Sequence, residues 1–268
     1  FENYPDAAIP TIEYANTLYT IIVGVFVLSI ANVIFPKMAR LTTNKAEEDL
    51  GETVSVTIKA MLFLLLPMMF GLMILSEPVV RLVYERGDFG TFATKTTARA
   101  LFFFSLGMVG FGIQNILSRV FYAKQDGKTP FYSGLISIAV NIILCFLLVE
   151  KMDVGGLAFA SAISSVVSAV FLLIPLYFQH KTLFSKKMIK DLLKMIFSAG
   201  VMAIAAVICK NGLLAMEIGG FLENIIVVAV TAAVGGVVYM ICCYALGVSE
   251  SKMVVEMGKG TFQKVFKK

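Results

Sequence analysis

Seven stretches of this chain contain no Asp, Glu, Lys or Arg: Tyr14–Pro36, Ala60–Ser76, Ala100–Ser118, Thr129–Val149, Val154–His180, Met195–Cys209 and Asn224–Ser249. Their lengths are 23, 17, 19, 21, 27, 15 and 26 residues. A bilayer core about 30 Å thick is crossed by a helix of about 20 apolar residues. Inside hydrocarbon every backbone amide needs an internal partner, so such runs become helices. They predict an all-α, polytopic membrane protein with seven transmembrane helices. The runs are continuously apolar rather than alternating, which excludes a β-barrel. The two short runs need lengthening. The second is expected to continue past Glu77 through Val79 and Val80, and the sixth is flanked by Lys194 and Lys210, whose stems can snorkel.

Composition narrows the function in the same direction. Of the 268 residues 58% are apolar and 15% charged, against roughly 25% charged in a soluble protein. A soluble enzyme, a nucleic-acid binder and a disordered scaffold are all excluded. Cys145, Cys209, Cys242 and Cys243 lie within apolar runs and lack metal-ligand spacing, and His180 is the single histidine. No metal, cofactor or catalytic residue is expected. Glu85, Asp88 and Asp126 all fall in loops, and neither an intramembrane carboxylate pair nor a Gly-rich phosphate loop occurs. The chain is expected to move something rather than to make bonds.

The net charge of +5 matters through its placement. With the N-terminus outside, 17 of the 23 Lys and Arg residues fall on the inner side and 6 on the outer, as the positive-inside bias requires. The loop carrying Arg81, Arg86, Lys95 and Arg99 dissents. An outside start in a chain opening at Phe1 without a signal segment is expected to reflect an odd number of preceding helices.

Polar residues inside the spans are the candidate site. Asn16, Thr17 and Asn32 lie on the first span, with Asn16 and Asn32 about 24 Å apart along a helix and therefore in separate places. Ser105, Gly112, Asn115 and Arg119 share an arc of about 80° on the third. Ser133, Ser137 and Asn141 form an i, i+4, i+8 ladder on the fourth, Ser161, Ser165 and Ser168 a stripe on the fifth, and Ala229, Ala233 and Gly236 one on the seventh. The serine and small-residue stripes are expected to pack helices. For Asn115 and Asn141, packing and cavity lining both remain open, and Arg119 reads as an interfacial anchor or a cavity cation. Pro67, in mid-span, is expected to kink the second helix and is a hinge candidate.

Two loops carry specific patterns. One is Leu82-Val83-Tyr84-Glu85-Arg86-Gly87-Asp88-Phe89, and the other runs Ser118-Arg119-Val120-Phe121-Tyr122-Ala123-Lys124-Gln125-Asp126-Gly127-Lys128-Thr129-Pro130. In the second, Asp126-Gly127 signals a turn, while Thr129-Pro130 reads as an N-cap and first helical residue. Asp126 is either part of that turn or a gate latch paired with Arg119 or an inner lysine.

Together, "RGxF, one helix, FYAxxDxxTP, one helix with a mid-span Asn" resembles the MurJ/MviN lipid II flippases, within the superfamily of multidrug, oligosaccharidyl-lipid and polysaccharide exporters. Ile34-Phe35-Pro36-Lys37-Met38 resembles the family's helix end before a cytoplasmic loop. The resemblance implies helices eight to fourteen of a fourteen-helix transporter of the bacterial plasma membrane. Residues 1–180 would complete a C-terminal lobe of five helices, and residues 181–268 an accessory pair with a cytoplasmic tail. It implies alternating access for a lipid-linked peptidoglycan precursor, the headgroup crossing in a cavity and the tail staying in lipid or in a groove beside the accessory pair. An N-terminal half and membrane lipids would be the other partners. Asn16, Thr17, Asn115, Arg119 and Asn141 would be cavity candidates. Arg86, Gly87, Phe89, Phe121, Tyr122, Asp126, Thr129 and Pro130 would be the loop or gate candidates. One departure stands out: where the family commonly has an Asp/Asn-Arg pair, this chain has Asn16-Thr17, and a hydroxyl cannot replace a guanidinium on a diphosphate. The alternatives are a polysaccharide-repeat or drug exporter, a seven-helix receptor and a membrane-embedded transferase. The last run has no Lys for a retinal Schiff base, and no carboxylate cluster supports a transferase.

Overall fold

The computed structural model describes residues 8–179, 185–216, 219–254 and 256. His180, Lys181 and the tail cations Lys259, Lys264, Lys267 and Lys268 lie outside them. Among the described residues the helices include α1 (Ala8–Thr43), α2 (Glu47–Ile74), α3 (Ser76–Tyr84), α4 (Thr91–Leu106), α5 (Met108–Ala123), α6 (Lys128–Met152), α7 (Val154–Gln179), α8 (Lys186–Leu214) and α9 (Gly220–Ala245). Six are each long and apolar enough to cross a membrane, and α4 with α5 forms a seventh span bent by 46°. This is a multi-pass membrane protein, with the seven spans where the uncharged runs put them.

The helices outrun those apolar stretches. α1 continues through Lys37 and Arg40, and α2 begins at Glu47 and takes in Lys59. Charge ends a span's residence in hydrocarbon without ending its helix. The second span therefore lengthens at its start, not past Glu77 as expected. Val79 and Val80 belong to the separate α3, whose Arg81 bridges Glu77 at 2.9 Å and Glu85 at 3.2 Å. With Pro78 and Val80 buried beneath that polar face, α3 has the pattern of an interfacial helix.

The bend between α4 and α5 falls at Gly107, with no proline involved. A Cβ at Gly107 would stand 2.9 Å from the Ala162 Cα, and one at Gly110 2.7 Å from both the Ser165 Oγ and the Val166 amide nitrogen. Two glycines thus let the bent span lie backbone to backbone on α7. Ser165 ties the joint by donating to the Gly107 carbonyl at 3.2 Å. The bend also breaks the expected arc. Ser105 returns to Leu101 O on α4, while Gly112, on α5, faces Leu65 and Met61 of α2.

The serines of the α6 ladder pack as expected, and Asn141 joins them. The Ser133 and Ser168 hydroxyls lie 2.6 Å apart, Ser137 donates to Ser164 O at 3.1 Å, and the Asn141 amide donates to the Ser161 Oγ at 3.1 Å. On α7, however, the stripe is Ser161, Ser164 and Ser168, because Ser165 turns the other way to Gly107. On α9 the expected stripe is also displaced. Ala229, Ala233 and Gly236 are exposed, and Val227, Thr231, Gly235, Tyr239 and Cys243 are buried instead. Gly235 lets Met202 of α8 approach, and a two-residue offset is about 200° around the helix. α8 and α9 pair with each other, and both rest against α2.

Candidate functional site

α1 presents two unlike faces at its N-terminal half. Ala15, Leu18, Tyr19, Val23 and Val27 are buried against the bundle, whereas Glu13, Asn16, Thr17 and Thr20 are exposed. These four occupy about 100° of the helix circumference. Asn16 and Thr17 therefore stand where an uncovered polar wall exists. Asn32 is exposed further along the helix, apart from them.

Beside that wall the first loop motif is an anchor. Gly87 has φ +58°, which favours glycine, and the turn it makes returns the Phe89 amide to Arg86 O at 3.1 Å. The Phe89 ring then packs on Tyr14, centroid to centroid 5.5 Å, and on Tyr84 at 5.8 Å. Tyr84 lies 4.8 Å from Tyr14. This aromatic trio holds the loop against the start of α1, while Arg86 is exposed.

The second motif closes one helix and opens the next. At the end of α5, Gln125 takes φ +59°, and its amide bonds to Tyr122 O while that of Asp126 bonds to Phe121 O. That is a Schellman stop, here with glutamine in glycine's place. Asp126 then opens α6: Oδ1 accepts from the amides of Lys128 at 2.9 Å and Thr129 at 3.1 Å, and Oδ2 lies 2.6 Å from the Thr129 hydroxyl. Bonds from Thr129 hold its carboxyl below the usual carboxylate range. The capping side chain is thus that of Asp126, one residue before the boundary residue Gly127, and not Thr129, and Pro130 is the third helical residue rather than the first. The geometry makes Asp126 a structural turn with no Arg119 partner. Phe121 and Pro130 are buried beneath the loop and Tyr122 is exposed. The latch-like contact belongs to a residue that sequence reasoning passed over. Lys124 reaches Glu47 at 3.2 Å and Gln179 at 3.0 Å, joining the start of α2 to the end of α7. Its place inside the motif was the available signal.

The remaining candidates are dispersed. The Asn115 amide donates to Phe111 O within its own helix at 2.9 Å. The Arg119 guanidinium stands 5.8 Å from the Phe35 ring centroid, joining α5 to α1. Asn141 is in the α6–α7 seam. Pro67 lies inside an uninterrupted α2 and in the wall of an apolar cavity of about 400 Å³ between α1, α2, α3 and the α8–α9 pair. Ile22 and Phe26 of α1, Met202 of α8 and Thr231 of α9 are among its other lining residues.

The family model described as Lipid II flippase MurJ matches residues 6–229. The chain belongs to the MurJ family. Similar MurJ proteins include the probable lipid II flippase of Thermotoga maritima, 34% identical over 67% of this chain and 36% of that protein. The lipid II flippase of Thermosipho africanus is 30% identical over 71% of this chain and 38% of its own length. That of Rhizobium meliloti, named as probable, is 27% identical over 78% and 39%. A solved lipid II flippase MurJ in an inward closed conformation superposes with TM-score 0.71 at 26% identity, covering 88% of this chain and 46% of that one. The chain thus spans less than half the length of these MurJ relatives.

Proposed function

We propose that the chain forms one lobe and the accessory helix pair of a lipid II flippase in the bacterial plasma membrane, working by alternating access. The observation that carries this reading is the MurJ family match over residues 6–229. A diphosphate-sugar headgroup does not cross hydrocarbon unaided. The uncovered wall of Glu13, Asn16, Thr17 and Thr20 suits one side of a polar path, the other side being an opposing N-terminal lobe. α1 to α7, within residues 1–180, act as the lobe. α8 and α9, within residues 181–268, act as the accessory pair, and the apolar cavity between them and the lobe takes part of the polyprenyl tail. Asn115 and Arg119 act from the far end of α5, near the loop that Lys124 and Asp126 organise. Asn141 serves the seam instead. No step makes or breaks a bond.

The test is functional replacement. A full-length protein containing this chain, expressed in cells depleted of their own flippase, should restore exposure of lipid II on the outer leaflet. Absence of restoration in a protein that inserts normally overturns the reading. Thr17→Arg in that protein should tighten binding of a diphosphate-linked lipid about tenfold, or about 1.4 kcal/mol, since a guanidinium donates two bonds to a phosphate. Flat or weaker binding means that Thr17 does not face the phosphates.

A further inference from the structure

α2 contains one cation, Lys59, and α8 contains one acid, Asp191. The two meet. Lys59 Nζ stands 3.7 Å from the Asp191 carboxylate and 3.2 Å from that of Glu250, just beyond α9. The three side chains are 15%, 6% and 12% exposed. Asp191 is buried in a helix start whose lysines 186, 187 and 190 are all exposed, so its direction is set by α2 rather than by water.

The other end of the same helix pair has a second tie. Lys210, expected to snorkel, instead donates to Ile74 O at 3.2 Å. That carbonyl ends α2 and has no partner within its own helix turn. Along α2 the two ties are about 22 Å apart, at 1.5 Å rise per residue. Between them lie Leu64, Pro67, Met68 and Gly71, the α2 wall of the apolar cavity, facing Met202 and Ala206 of α8.

We infer that Lys59 and Lys210 are positioning residues that clamp the accessory pair to the lobe at both ends of this cavity and so fix its width for a polyprenyl tail. This rests on the flippase reading given above. Apolar contact alone leaves two helices free to slide in lipid, because tails solvate the same surfaces. A buried ammonium between two carboxylates does not slide, since separation leaves desolvated charge uncompensated. Loss of Lys59 leaves the Asp191 and Glu250 carboxylates without the ammonium that stands between them.

The experiment uses the full-length protein and two probes with one diphosphate headgroup, one on a long polyprenyl tail and one on a short tail. Lys59→Met should weaken long-tail binding about tenfold and leave short-tail binding unchanged. Lys59→Arg should retain both, and Lys210→Met should repeat the loss from the other end. A general folding defect would lower both probes together, and that result, or no change with either, overturns the clamp. A Gly71→Cys/Met202→Cys pair joined by a short bifunctional thiol reagent gives a readout that needs no substrate, because the two positions face each other, a Cβ at Gly71 lying 3.7 Å from the end of the Met202 side chain. Its cross-linking should be efficient with Lys59 present and fall with Lys59→Met. Unchanged cross-linking overturns the clamp. If the unaltered protein binds neither probe while cross-linking still depends on Lys59, the flippase reading fails and the clamp stands.

Discussion

Gly110→Ala tests whether the bent span is held by backbone contact. The added methyl would stand 2.7 Å from the Ser165 Oγ, 2.7 Å from the Val166 amide nitrogen and 2.9 Å from Val166 Cγ2, whereas carbon atoms pack at about 3.5–4.0 Å. A rotamer change can move the side-chain atoms but not the amide, so α5 and α7 must separate. Overpacking of this kind costs about 1–3 kcal/mol. Replacing a helical glycine also gains about 0.8–1.0 kcal/mol of propensity, which would blur a single measurement. Gly134→Ala on α6 supplies the comparison, since its Cβ meets nothing within 4 Å. The propensity gain then cancels between the variants, and Gly110→Ala should be the less stable by about 1–3 kcal/mol. The assay is SDS titration of helical ellipticity in mixed micelles. Equal midpoints for the two variants would refute the backbone-contact account.

Four further outcomes follow from the loops and the charge pattern. Gln125→Gly should stabilise by about 0.5–1 kcal/mol in the same titration, since φ +59° strains an L-residue; a loss would show that the Schellman stop does not form. Asp126→Ala should cost about 1 kcal/mol as a lost cap. Because the folded carboxyl titrates below its ordinary value, the Asp126 contribution is full above about pH 4 and fades as pH falls through the lowered folded value. Asp126→Asn should therefore lose less stability on acidification than the unaltered protein, and parallel acid limbs would contradict that. Finally, a cysteine placed at Gly212 should react with an impermeant thiol reagent from outside and one at Ser185 only from inside; the reverse order would invert the topology.

The spans were legible because hydrocarbon imposes one rule on every residue within it, and a run free of charge records that rule directly. The α6 ladder was legible too, since Ser133, Ser137 and Asn141 repeat at the period of a helix. The bend at Gly107 was not. Nothing in Leu106-Gly107-Met108 marks it, and the close approach that requires glycine there comes from Ala162, 55 positions away in sequence. The Lys59 contacts were hidden for the same reason, their partners lying 132 and 191 positions downstream. At the candidate site, Asn16 and Thr17 were singled out by the family resemblance, and helix periodicity did not reveal that both lie exposed beside Glu13 and Thr20. Thr129 was misjudged as a cap because Asp126 can reach past Gly127 and satisfy both amides first.

The seam between α6 and α7 bears on how the protein is made. A single residue, Asp153, separates these two helices. Ser133, Ser137 and Asn141 would each meet lipid with polar groups unsatisfied if α6 left the insertion machinery alone. α7 carries the matching partners and follows at once. The pair should therefore enter the bilayer as a preformed hairpin, carrying Glu150, Lys151 and Asp153 across at its tip. Biogenesis of this region then depends on two segments arriving together rather than on the hydrophobicity of either one.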